Sequence, residues 1–265
     1  MCEIFALNAR TPVQVNDRLR EFYAHSVTNP HGWGLAWHDH AEVHLHKEGL
    51  RAIDSAYLAH LLEDPIHAYQ LIAHIREATK GNVRRENCHP FRGSAGGRDW
   101  IIAHNGTIID DHLLGVHDQR AAGDTDSEQL VLHLLDALER AATRRGGPLD
   151  FAARFDVLTH EMEALSAGNK LNLVLDDGDY LYVHTNTIRD TLYCAQLPDA
   201  ALFCTVPLDD GEDWRPVPHC QLIAYRHGQR ARTAPAHAFD FDDEGYLERY
   251  GIRPMELVVQ EGESA

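Results

Sequence analysis

The chain has 265 residues, 44% of them hydrophobic, enough to bury a sizeable core in one large domain or two small ones. Its 41 acidic against 24 basic residues give a formal net charge of −17, which argues against sequence-independent binding to nucleic-acid phosphates or to anionic lipid surfaces. No stretch approaches the roughly eighteen apolar residues that span a bilayer, and no basic region leads into an apolar signal core, so the expected compartment is the cytoplasm. In chain order, alternating apolar residues predict a strand over 3–7, and a helical pattern follows over 15–25. Strands are predicted over 33–38 and 42–47, a helix over 53–62, and strands over 70–75 and 100–104. A long helix begins after Asp124-Thr125-Asp126 and runs to about residue 142, with Leu130, Leu134, Leu135 and Leu138 on one face. Residues 144–148 break it from a second helix over 149–166. Strands over 171–175, 180–184, 192–195, 201–204 and 221–225 complete the pattern, and Asp176-Asp177-Gly178-Asp179 is a hairpin turn.

Hairpins rather than repeated βαβ crossovers predict an α+β layered domain. No linker, repeat or low-complexity segment interrupts it, so residues 1–265 are expected to form a single domain, with a core over about 2–225 and a turn-rich, acidic peripheral segment over about 207–265.

Cys2 stands directly behind Met1, and removal of Met1 would place a thiol and a free α-amine on one residue. Such an amine titrates at roughly 7.7–8.0 and a thiol near about 8.5, so one residue can supply both nucleophile and base. The remaining cysteines, 88, 194, 204 and 220, show no Cys-x-x-Cys spacing and fit free thiols in a reducing compartment. Cys194 and Cys204 alternate with apolar neighbours and read as small buried hydrophobes, whereas Cys88 lies in a polar loop with Arg84, Arg85 and His89 and is the rival nucleophile. His44 and His46 share a strand face without a third ligand at a matching spacing and read as surface residues; no metal and no cofactor is expected.

A nucleophilic amidase also needs oxyanion donors and an anchor for the charged end of its substrate. Asn105-Gly106 follows an apolar strand, where a side-chain amide and a flexible backbone N–H can point at one oxyanion; an Asn-Gly turn between strands is the plainer alternative. Arg76, at the end of another strand, can grip a carboxylate through two parallel hydrogen bonds, and otherwise is a solvated surface residue. Asp126 can bind an ammonium group or simply serve the start of its helix. The glycines of Gly32-Trp33-Gly34 suit a backbone that bends close to a ligand or to another strand, and His89, before Pro90, is either a structural hydrogen-bonder or a pocket wall.

Taken together, Met1-Cys2-Glu3, the Gly-Trp-Gly turn, His74-Ile75-Arg76-x-Ala78-Thr79-x-Gly81, Asn87-x-His89-Pro90-Phe91, His104-Asn105-Gly106 and Thr125-Asp126-Ser127-Glu128 resemble the class II glutamine amidotransferases in order and separation. The resemblance covers about residues 2–130 by motif and extends to about 225 by element pattern. It implies the four-layer αββα sandwich of the N-terminal-nucleophile hydrolases, two antiparallel sheets between helix layers. It further implies that Cys2 attacks the side-chain amide of glutamine, that Asn105 and Gly106 hold the oxyanion, and that Arg76 and Asp126 hold the substrate α-carboxylate and α-ammonium, with Thr79 and His89 counted among the substrate-binding residues. A γ-glutamyl thioester, ammonia and glutamate would follow. Members fused to an aminating domain usually continue the arginine motif with Trp and His, where this chain has Glu77 and Lys80, and little chain follows the matching region, so the resemblance is to the stand-alone subgroup. The substrate expected is glutamine or a γ-glutamyl compound, with a separate ammonia-accepting synthase subunit and homo-oligomers left open. The alternatives are a larger leaving amine, an N-terminal cysteine acylase on apolar amides, and a non-catalytic glutamine-binding subunit.

Overall fold

The structure is a computed structural model describing residues 2–39, 42–114, 119–189 and 191–245. The first sheet has seven strands: β1 (Glu3–Gln14), β2 (Trp33–Asp39), β3 (Glu42–Glu48), β4 (His67–Ile75), β9 (Tyr193–Gln196), β10 (Ala200–Cys204) and β11 (Trp214–Pro216), in the order β11-β9-β10-β1-β4-β2-β3. The second has six: β5 (Phe91–Ala95), β6 (Arg98–His104), β7 (Asn172–Asp176), β8 (Leu181–Thr185), β12 (Ile223–Arg226) and β13 (Gln229–Thr233), in the order β13-β12-β8-β7-β6-β5. Neighbouring strands run antiparallel throughout both.

Strand alternation builds the layers. Phe5 and Leu7 of β1 and Trp33 and Leu35 of β2 point outward, where Leu19 and Phe22 of α1 (Asn16–Ala24) and Leu58 of α2 (Ala56–Leu61) cover them. Ile102, Leu173, Leu175 and Tyr182 of the second sheet face α3 (Asp126–Arg145) and α4 (Phe151–Ser166) through Leu130, Leu134, Leu138, Phe155 and Leu158. The opposite faces, including Ile4, Ala6, Ala36, Ile72, Ile101, Ala103 and Val174, meet between the sheets. The result is the predicted αββα sandwich.

Local chemistry sets the helix ends. Thr125 caps α3, its hydroxyl accepting from the Glu128 N–H at 3.2 Å, and Asp150 caps α4 through the Ala153 N–H at 2.9 Å. Gly146 ends α3 at φ 78°, the left-handed conformation that glycine takes without strain. The ladder of β1 and β4 pairs Glu3 with Ile75, which brings the two chain segments just beyond these residues, Cys2 and Arg76, to one edge of the sandwich.

Candidate active site

Cys2 is half-buried, and its thiol sits against the backbone of Glu77: Sγ lies 3.3 Å from the Glu77 carbonyl, to which it donates, and 3.3 Å from the Glu77 N–H, which it accepts. Desolvation pushes the thiol up from its ordinary value, opposed by that N–H and by the Arg76 guanidinium. The Cys2 carbonyl accepts a hydrogen bond from Asn105 Nδ2 at 2.5 Å, a bond that joins the edge of the first sheet to the end of β6 in the second.

Asn105 and Gly106 are not a hairpin turn. The Asn105 N–H donates to Asn172 O at 2.9 Å and the Thr107 N–H to Lys170 O at 2.9 Å, so the β6–β7 ladder continues past the pair. A Cβ on Gly106 would lie 2.0 Å from Lys170 O and 2.4 Å from His104 Nε2, which leaves room for glycine alone.

Arg76 is buried rather than solvated, and its guanidinium gathers the following loop. Nη1 donates to Asn82 O at 3.0 Å, and Nη2 to Lys80 O at 2.7 Å and Gly81 O at 3.3 Å. Thr79 lies half-buried in that loop. Asp126, also half-buried, is the first residue of α3; its carboxylate accepts from the Ser127 N–H at 2.8 Å and the Ile108 N–H at 3.3 Å.

Asn87 and Glu128 stand within the sequence motifs without an assigned role there, and the structure supplies one for each. Asn87, fully buried, donates to Asn82 O at 2.8 Å and to the Asp124 carboxylate and accepts from the Asp124 N–H, tying the Arg76 loop to the segment that enters α3. Glu128 accepts from the N–H groups of Ala122 and Gly123 at 2.9 and 2.7 Å. The spacing of Thr125 and Glu128, that of a capping box, was the available signal for Glu128.

Three buried imidazoles line the inner side. His89 Nδ1 lies 3.0 Å from His74 Nε2, and the His89 ring packs edge-on to Phe91 at 4.7 Å. His104 Nδ1 lies 3.0 Å from Ser127 Oγ. Burial, the largest cause, holds all of them below the ordinary histidine range, His74 at about 3. The glycines of Gly32-Trp33-Gly34 are closely approached by the loop before β5: a Cβ at Gly34 would lie 2.0 Å from the His89 backbone O, and one at Gly32, φ 145°, would lie 2.4 Å from the Cys88 side-chain Sγ.

The rival nucleophile is corrected by its surroundings. Cys88 is fully buried, its thiol donating to Glu48 O at 3.2 Å and Arg84 O at 3.4 Å, and burial raises it to about 11 in spite of Arg76 and Lys47 nearby. Lys47, itself lowered to about 8 by burial, is spent on the Cys88 carbonyl at 2.7 Å. Cys204 is buried in the outer core of the first sheet, and Cys194, partly buried, packs at the inter-sheet core. His44 and His46 stack on Trp37 at 4.7 and 5.3 Å. Among the described residues no group of three or more His, Cys, Asp or Glu is placed to hold a metal.

Residues 1–198 match the family model for class-II glutamine amidotransferases. The chain belongs to this family. A relative from Escherichia coli K12, named “Putative glutamine amidotransferase YafJ”, is 31% identical over 191 residues, 71% of this chain and 74% of YafJ. The solved structure of glutamine phosphoribosylpyrophosphate amidotransferase from B. subtilis, at 18% identity, superposes with a TM-score of 0.62 over 88% of this chain and 49% of its own. A class-II domain protein from Silicibacter pomeroyi superposes at 0.60 with 18% identity over 89% of this chain and 99% of its own. These likenesses establish the N-terminal-nucleophile fold for this class II amidotransferase. Among its described residues, no helix is long and apolar enough to cross a membrane.

Proposed function

We propose that this class II amidotransferase hydrolyses the γ-carboxamide of glutamine with Cys2 as nucleophile once Met1 has been removed. The observation that supports the reading is the bond of Asn105 Nδ2 to the Cys2 carbonyl, because it joins the residue that carries the thiol to the residue that carries an oxyanion donor, on the edges of separate sheets. The freed α-amine takes the thiol proton while Sγ attacks the amide carbon. The second N–H of Asn105 Nδ2 and the Gly106 N–H, which lies between the ladder donors Asn105 and Thr107, receive the charge on the oxygen. Each such donor is worth roughly 2.7–4 kcal/mol in the transition state. The amine returns its proton to the departing nitrogen, ammonia leaves, and water cleaves the γ-glutamyl thioester to glutamate. Arg76 holds the α-carboxylate with donors not used on the loop, and Asp126, close to the positive end of α3, holds the α-ammonium; Thr79 and His89 shape the wall. Ammonia then passes to solvent or to an acceptor enzyme on another chain.

The test is glutamate release from glutamine by full-length protein that mass spectrometry shows to begin at Cys2. Steady turnover that is abolished in Cys2→Ala and in protein retaining Met1 is expected. Full turnover by Cys2→Ala refutes the reading, and glutamine binding without turnover in correctly processed protein replaces it with a non-catalytic subunit.

A further inference from the structure

The hold of β2 on β4 continues past the end of their ladder. Beyond the pair of Trp33 with Ile75, the Arg76 N–H donates to Gly32 O at 2.8 Å and the His31 N–H donates to Arg76 O at 2.9 Å. Two residues further along, the hold passes from main chain to side chain, where the Ala78 N–H donates to Nδ1 of the half-buried His31 at 3.0 Å. Glu77 lies between these points, and its N–H and its C=O both meet Cys2 Sγ at 3.3 Å.

These contacts belong to two peptide planes. Both are trans, with C=O and N–H on opposite edges. The plane joining Arg76 to Glu77 offers its carbonyl to the His31 N–H and its N–H to Sγ. The plane joining Glu77 to Ala78 offers its N–H to the His31 imidazole and its carbonyl to Sγ. His31 thus grips the far edge of both planes whose near edges meet the sulfur. The first grip uses main-chain atoms that almost any residue supplies; the second needs a side chain with an acceptor at the place of Nδ1. To accept there, neutral His31 carries its proton on Nε2.

The two near edges do opposite work. An N–H aimed at sulfur favours the thiolate, and a carbonyl aimed at it favours the protonated thiol. Because Glu77 presents both at the same distance, the thiol proton rests on the carbonyl and a donor is already in place for the sulfur once that proton has left.

We propose that His31 is a positioning residue for the nucleophile: its main-chain N–H and its Nδ1 hold the peptides on either side of Glu77 so that one N–H and one carbonyl cradle the Cys2 sulfur. The role rests on Cys2 being the nucleophile, and it is exerted through the backbone of residues 76–78.

Alkylation of Cys2 by iodoacetamide is the test, followed against pH in full-length protein that begins at Cys2 and read by mass spectrometry of the N-terminal peptide, because it needs no glutamine. In His31→Ala the peptide after Glu77 loses its outer hold and its carbonyl no longer favours the protonated thiol, so the midpoint of the pH–rate profile should fall by about half a pH unit. His31→Asn, with Oδ1 where Nδ1 stood, should return the midpoint to the parent value. His31→Gln, whose amide lies one atom further out, replaces His31→Ala if that variant does not fold. The charged and titratable groups around the sulfur, Arg76, Glu77, the chain's own amine and Cys88, are common to parent and variants. With glutamine, His31→Ala should lower kcat roughly threefold or more with KM little changed, because the anchors Arg76 and Asp126 stay in place. A midpoint unchanged or raised in His31→Ala, an equal shift in His31→Asn, or an unchanged kcat overturns the proposal. A parent protein that releases no glutamate yet shows the alkylation shift and its rescue refutes the glutaminase reading and upholds the role of His31.

Discussion

Arg76 carries more than one duty, and its geometry says how to separate them. Its two terminal nitrogens hold the carbonyls of Lys80, Gly81 and Asn82, while the planar fork has further N–H groups to offer a carboxylate. Lysine supplies three donors from one point and cannot serve the loop and a bidentate carboxylate together. Arg76→Lys is therefore expected to raise the KM for glutamine at least tenfold, about 1.4 kcal/mol, with a smaller fall in kcat and a small drop in melting temperature. Steady-state kinetics on processed protein checks it. An unchanged KM means that no α-carboxylate is read at Arg76, and the substrate class shifts to apolar amides.

At the scale of elements, the strap before α3 depends on one carboxylate inside the helix. Glu128 reaches back to the N–H groups of Ala122 and Gly123, and a Cβ on Gly123 would crowd both Glu128 Oε2, at 2.7 Å, and Asn87 Oδ1, at 2.2 Å. Glu128→Gln keeps one acceptor and puts an NH₂ against a backbone donor. It is expected to cost roughly 1–3 kcal/mol in urea unfolding and to expose the strap to protease while leaving helical circular dichroism unchanged. The same stretch shows what a sequence can and cannot disclose. Thr125 and the leucine face of α3 were legible because caps and periodicity are local. β5 was not, because Gly93 interrupts it where Leu135 of α3 presses in, 2.3 Å from the place of a Cβ, and only the packed helix explains the small residue. β11 is three residues ending in proline, and β13, Gln229–Thr233, is polar and mostly exposed along a sheet edge, so neither alternates. At the site, the residue types of Cys2, Arg76, Asn105 and Asp126 could be read in order, but the burial that disqualifies Cys88 as a thiolate, and the ladder that runs through Asn105-Gly106, come from contacts distant in sequence.

For the molecule as a whole, the sandwich keeps its imidazoles dry, and that sets its response to acid. His74 and His184 are held at about 3, His89 and His104 also below the ordinary range, each chiefly by burial. Below roughly pH 6.5 the unfolded chain binds a proton on each of these groups while the folded one does not, so stability falls as pH falls. Each group contributes about 1 kcal/mol per pH unit, and together they approach the typical total of about 5–15 kcal/mol within a few units. Asp176 works the other way, since its raised carboxyl takes a proton in the folded state first, but it is one group against several. Cooperative acid unfolding near about pH 5 is expected, above the ordinary carboxylate values of roughly 3.9–4.3. His184, in β8 and bonded to His237 at 3.0 Å, is the position at which to check it, because it lies outside the proposed catalytic machinery. In His184→Leu the fall in unfolding free energy, read from urea titrations, between about pH 7.5 and about pH 5.5 should be shallower than in the parent by about 1 kcal/mol, whatever the absolute stability of the variant. Parallel curves for the two proteins would mean that the imidazole at 184 is already charged inside the fold, and the acid response would then have to come from the paired carboxylates instead.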